Sequence, residues 1–103
     1  MRKIEAIIRS KKLDQVQAEL RSMGIGGMSV ANIRGFGNQR TPGRDFDEKI
    51  KIEIYVDEFQ ADKVVELIIR TAKTGKVGDG KVIISPIDNI YRIRTGESGP
   101  KAV

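Results

Sequence analysis

The sequence predicts a two-layer α+β domain with the element order β-α-β-β-α-β, and three observations predict it. Ile50, Ile52, Ile54 and Val56 alternate with Lys49, Lys51, Glu53 and Tyr55, the period of a half-buried strand. Leu13, Val16, Leu20 and Met23 recur at steps of three and four, and Ala61, Val64, Val65, Ile68 and Ala72 repeat the pattern, as amphipathic helices do. A chain of 103 residues is long enough for one two-layer core and too short for two.

Taken in order, Ile4, Ala6 and Ile8 alternate with Lys3 and Glu5 and predict the first strand. The first helix follows, stopped by Gly24, with Gly26 and Gly27 continuing the break. A second strand is expected over Met28 to Phe36, with Met28, Val30 and Asn32 on one face. Gly37 to Asp47 reads as a loop, marked by Thr41-Pro42-Gly43, and leads into the strongly alternating third strand. Asp57 to Gln60 has the D-x-x-Q form of a capping box at the head of the second helix. Lys81 to Ser85 is a fourth strand, Pro86 to Asn89 a turn, Ile90 to Arg94 a short last strand, and Glu97 to Val103 a loose tail. With right-handed crossovers this order gives the ferredoxin-like arrangement, two helices on one face of a four-stranded antiparallel sheet. The other face carries Glu5, Ile7, Lys51, Tyr55 and Ile83, a mixed surface that fits burial against sister subunits, so an oligomer is expected.

Composition narrows the chemistry. There is no cysteine, so disulfides and thiolate chemistry are excluded, and no histidine, which removes the usual general base and the commonest metal ligand. Nineteen basic residues against 14 acidic ones give a net charge of +5, which favours anionic partners. No apolar run approaches the length of a membrane span and no signal-peptide core follows Met1, so a soluble, cytoplasmic chain is expected. Dispersed charge and only five aromatic residues argue against nucleic acid; a sheet-based RNA reader would have only Tyr55 and Tyr91 to stack on. An acid–base enzyme would need convergent carboxylates, and only Asp79 and Glu97 lie near the segments that look functional.

Those segments are Thr74 to Lys81 (TGKVGDGK) and Arg92 to Gly96 (RIRTG). Gly75, Gly78 and Gly80 allow the backbone to approach a ligand and to turn successive N–H groups into an anion-binding nest. Lys81 adds a point charge, and Arg92 and Arg94, two apart on a strand and so on one face, add planar forks for phosphate oxygens. The constellation reads as a cradle for a phosphorylated small molecule. The same residues also fit a plainer reading: a glycine helix cap, a glycine-rich turn and a solvated strand face. The G-x-x-x-x-G-K spacing from Gly75 to Lys81 is not a P-loop, because Val82 stands where Ser or Thr is needed and the local order is helix, loop, strand.

Met1 to Arg9 (MRKIEAIIR), Gly35 to Gln39 (GFGNQ), Thr74 to Lys81 and Arg92 to Glu97 (RIRTGE) together resemble PII signal-transduction proteins over almost the whole chain, 1–103 as one domain. The resemblance implies a homotrimer that performs no chemistry, with adenine nucleotide, ATP or ADP, bound in clefts between subunits. It implies a second ligand, 2-oxoglutarate, bound with ATP and magnesium, and a partner transporter, enzyme or regulator in nitrogen and carbon metabolism. By position, residues 74–81 match the B-loop, 92–97 the C-loop and 37–48 the T-loop. Thr74, Gly78, Asp79, Gly80 and Lys81 then hold phosphate with Arg92 and Arg94, while Ile7, Gly27, Ser29, Gly35, Gly37, Glu53 and Tyr55 shape the adenine and ribose pocket. Gln39 matches the residue that reaches magnesium and the 2-oxoacid; Arg40, Lys49 and Gly78 complete that anion site, Lys49 facing the distal carboxylate. Lys49 also fits an ordinary edge-strand lysine.

The chain departs from the family pattern in three places. Only Thr41 to Glu48 separate Arg40 from Lys49, so the T-loop is short and a hairpin of that size projects at most about 17 Å. The loop has no tyrosine or serine, so control by uridylylation or serine phosphorylation is not expected. Asn38 stands where many members carry an arginine near the γ-phosphate, with Arg40 the nearest replacement charge, and Ser10-Lys11 replaces a common Pro-Phe pair. These departures leave an alternative: a PII-like carbon sensor binding ADP or AMP and bicarbonate, linked to inorganic-carbon uptake or carboxysomes.

Overall fold

The computed structural model describes residues 1–37 and 46–103. Strand β1 spans Arg2–Ile8, helix α1 Leu13–Ser22, strand β2 Ser29–Gly35, strand β3 Asp47–Val56, helix α2 Glu58–Ala72 and strand β4 Lys81–Pro86. The four strands form one sheet in the order β2-β3-β1-β4, every neighbouring pair antiparallel. The expected ferredoxin-like α+β sandwich is therefore the fold. The central strands supply Ile4, Ala6, Ile8, Ile52, Ile54 and Val56, all at most 1% exposed, and the helices cover them with Val16, Leu20, Val64, Leu67 and Ile68. Because side chains alternate across a pleated strand, this burial sends Lys3, Glu5, Ile7, Lys51, Glu53, Tyr55, Lys81 and Ile83 to the opposite, open face.

That face is ordered by charge. Glu5 lies directly opposite Glu53, and Lys3 and Lys51 flank the pair with N–O distances of 3.0, 3.7, 3.8 and 3.4 Å to the two carboxylates. The bond from Lys3 is the main reason the Glu5 carboxyl sits below its ordinary range. Tyr55 and Ile83 remain more than a third exposed beside this square.

Several expectations need correction. Residues 90–94 do not form a fifth strand: Tyr91 makes an isolated bridge with Ser98 and the intervening residues turn. The turn closes through Arg92 N–H to Glu97 O and Gly96 N–H to Arg92 O, both 2.8 Å, with Gly96 at φ +73°. The tail is not loose either. Asn89 Oδ1 accepts from the N–H groups of Ile90 and Gly99, and Gly99–Ala102 form a 3-10 turn. Asp57 caps α2 without a side-chain hydrogen bond; Gln60 N–H donates instead to the Asp57 carbonyl, so the capping box is not made. Ser10–Lys12 form a 3-10 turn that feeds α1. The expected loop begins at Gly37, but Asp47 already belongs to β3, opposite Gly35; the expected Thr41-Pro42-Gly43 turn lies outside the described residues. Met28 and Phe36, expected in the second strand, fall just outside β2.

Candidate functional site

Residues 73–80 connect α2 to β4, and one carboxylate organises them. Asp79 accepts from the Thr74 hydroxyl, from the Thr74 and Gly75 N–H groups at 2.8 Å each, and from Arg9 Nε at 3.1 Å. Thr74 Oγ1 in turn accepts from the Lys76 N–H at 3.2 Å. The bonds from Thr74, with those of Gly75 and Arg9 added, hold the Asp79 carboxyl well below its ordinary value of 3.8. Arg9 also donates to the Val77 carbonyl at 2.7 Å, and Lys49 Nζ donates to the Gly78 carbonyl, so two cations bind consecutive peptide oxygens of the loop.

Sheet register explains why these groups meet. Ile7 pairs with Lys81 on one side and Lys51 on the other. Continuing those registers by two residues sets Arg9 between Asp79 and Lys49, and Lys49 is itself paired with Ile33. Gly80 closes the arrangement. At φ +93°, a Cβ built on it would stand 1.7 Å from the Ile7 carbonyl oxygen, so only glycine lets the loop lie on β1. Gly78, at φ +102°, faces the Arg9 and Lys49 side chains; Gly75, at φ +84°, has open space around it.

Between this loop and the ends of β1, β2 and β3 lies a cavity of about 570 Å³, whose charged lining is Lys49, Lys76 and Lys81 against Asp47 and Asp79. Its apolar wall is Ile7, Ile33, Phe36 and Val77. Of the residues expected at the nucleotide and anion sites, Ile7, Gly35, Gly37, Lys49, Gly78, Asp79, Gly80 and Lys81 line it together. Ser29, Glu53 and Tyr55 stand elsewhere on the sheet: Ser29 is paired with Glu53, whose carboxylate accepts from the Tyr55 hydroxyl at 3.4 Å. Gly27 lines a separate hollow beside α1. Thr74 does not line this cavity, and its hydroxyl donates to Asp79.

Arg92 and Arg94 do not line the cavity of their own chain, and they do not share a strand face, because residues 93–95 turn. Arg92 instead lies 3.6 Å from Glu97 and donates to the Lys101 carbonyl at 3.3 Å. Asn38, Gln39 and Arg40 lie outside the described residues. Sequence reasoning missed Arg9, Phe36 and Lys76. The signal for Arg9 was available, since pairing β1 with β4 at Ile7 and Lys81 brings it opposite Asp79.

The family model described as nitrogen regulatory protein P-II matches residues 1–97. The chain belongs to this family. The nitrogen regulatory protein P-II of Synechocystis sp. is 47% identical over 112 aligned positions that cover all of both chains. The P-II 2 protein of Methanothermobacter thermautotrophicus is also 47% identical, over all of this chain and 97% of its own. Among solved structures, Arabidopsis thaliana PII bound to citrate superposes with a TM-score of 0.87 at 41% identity, over 99% of this chain and 91% of that one. PII proteins are regulatory signal transducers and not enzymes. Among the described residues of this PII chain no helix is long and apolar enough to cross a membrane.

Two outcomes test the geometry. Gly75→Ala is expected to cost only the left-handed backbone penalty, about 1–2 kcal/mol, whereas Gly80→Ala should cost clearly more, as read from urea unfolding. A carboxyl whose pKa is lowered by folding stabilises fully above its unfolded value and loses that contribution as pH falls through the folded one. The stability gap between the native chain and Asp79→Asn should therefore be constant above about pH 5 and narrow below about pH 4.

Proposed function

We propose that this chain is a trimeric PII signal transducer that binds ATP or ADP in clefts between subunits and 2-oxoglutarate beside the nucleotide, and so regulates a partner protein of nitrogen and carbon metabolism. The observation that carries the reading is the B-loop: Asp79 takes up the amides of Thr74 and Gly75 and leaves the later part of the loop and Lys81 facing a lysine-lined cavity. A phosphate chain suits that wall through amide and ammonium donors, and Ile7 and Ile33 offer an apolar side for a purine.

Arg92 and Arg94 fit the site only if a second subunit supplies them, because the cavity of their own chain excludes them. The half-exposed sheet face with Tyr55, Ile83 and the Lys3-Glu5-Lys51-Glu53 square is the surface best suited to bring subunits together. In this reading Ser29, Glu53, Tyr55 and Gly27 complete the purine and ribose end of the cleft. Lys49 would exchange the Gly78 carbonyl for the distal carboxylate of a dicarboxylate, with Gln39, Arg40 and Gly78 around it. Gln39 would hold magnesium together with the nucleotide's own phosphate oxygens, which would neutralise phosphate charge, and by sequence position Asn38 replaces the arginine that many members carry for the γ-phosphate. The Arabidopsis relative is bound to citrate, a carboxylate ligand, which supports a dicarboxylate on this fold. The partner, a transporter, enzyme or regulator, would be met by a short T-loop: the curated relatives align over 112 positions where this chain has 103 residues.

Calorimetric titration with ATP and ADP, each repeated with magnesium plus 2-oxoglutarate and with magnesium plus bicarbonate, tests the proposal. ATP should bind, 2-oxoglutarate should bind only in its presence, and Lys81→Gln should weaken ATP at least tenfold, as the loss of one charge-assisted bond of about 1.5–3 kcal/mol requires. Heat from bicarbonate and none from 2-oxoglutarate on the ADP complex would move the chain to the carbon-sensing alternative. Absence of nucleotide binding would contradict both.

A further inference from the structure

The C-terminal turn sets Arg92 and Glu97 against each other. The Arg92 N–H donates to the Glu97 carbonyl, the Gly96 N–H donates to the Arg92 carbonyl, and the Arg92 and Glu97 side chains stand 3.6 Å apart, Nη1 to Oε1. The Glu97 carboxylate is fixed a second time by the Thr95 hydroxyl, which donates to Oε1 at 3.1 Å, while the Glu97 N–H donates to Thr95 Oγ1 at 3.2 Å. The turn from Arg92 to Glu97 is therefore closed by backbone and threonine bonds, while the guanidinium, beside Glu97, donates to the Lys101 carbonyl at 3.3 Å. Both partners of the ion pair are about two-fifths exposed, 41% and 43%. Among the described residues Arg94 has no ion-pair partner, so the turn engages one arginine of the two.

Carboxylate and phosphate compete for the same fork, since each accepts paired bonds from the guanidinium edge. We infer that Glu97 is a tethered competitor: its carboxylate occupies Arg92 in the empty site, nucleotide phosphate must displace it, and nucleotide affinity is set below what the arginines alone would give. The inference rests on the reading of Arg92 as a phosphate contact. An exposed pair of this kind is weak, which makes it displaceable and bounds its influence at about two- to fivefold in affinity. Screening by salt weakens the competitor too, so its influence shrinks as ionic strength rises. Only ligands that reach Arg92 feel it.

The test is ATP affinity, by calorimetry, of the native chain, Glu97→Gln, Arg92→Gln and the double variant, at low and at physiological ionic strength. Glutamine keeps an oxygen for the Thr95 hydroxyl, so the turn is retained. Glu97→Gln should bind ATP about two- to fivefold more tightly at low salt, with a smaller gain at higher salt, and should bring no gain in the Arg92→Gln background. If Arg92→Gln weakens ATP but Glu97→Gln leaves affinity unchanged or lowers it, the competitor is overturned and the phosphate site stands. If Arg92→Gln leaves ATP affinity unaltered, the reading of Arg92 fails and the inference fails with it.

Discussion

Asp79 gathers four hydrogen bonds, from the Thr74 hydroxyl, two loop amides and Arg9, and the geometry of the candidate site depends on that gathering. A glycine-rich loop is entropically costly to order, and in water its amides have no reason to converge. One carboxylate, charged and fixed by donors on both sides, gives them that reason. Arg9 then ties the loop to the end of β1, and Lys49 ties it to β3, so the loop is positioned on the rigid sheet rather than on its own flanks. The same bonds that order the loop hold the Asp79 carboxyl ionised through acid conditions that neutralise ordinary carboxylates.

The second constraint is steric. Gly80 lies against the Ile7 carbonyl at a distance no side chain tolerates, and this contact sets how close the loop comes to the sheet. Loop, register and cavity are consequently one problem. Pairing β1 with β4 at Ile7 and Lys81 places Lys81 at the cavity wall and Gly80 on the carbonyl, and the continued register places Arg9 against Asp79. A slip of one residue would turn Lys81 into the core and lose all three.

Much of this was legible in the sequence, and the limits are physical. The core was legible because burial of one face imposes a period: Ile50, Ile52, Ile54 and Val56 admit one strand register, and α1 and α2 one buried stripe each. The ends were not. Arg92 and Arg94 read as strand residues because their alternation mimics one, but a Gly96 at positive φ and a Glu97 five residues away favour a turn closed on itself. The tail read as loose because its composition is polar, and composition does not reveal that Asn89 can hold two backbone amides. Asp57 offered a capping pattern that its side chain does not use. At the site, the glycines and Lys81 were visible by spacing, whereas Arg9, remote in sequence from Asp79, became visible only through strand pairing.

The central claim is that the B-loop of one subunit and the arginines of another make a single site. It is tested most directly by coexpressing two differently tagged chains, one Lys81→Gln and the other Arg92→Gln with Arg94→Gln, each deficient in ATP binding alone, and isolating the mixed trimers. Cyclic symmetry then pairs an intact B-loop with an intact turn at one interface of each mixed trimer. The account predicts that ATP binding returns there with native affinity at one site per trimer. Mixed trimers that bind no ATP would contradict it.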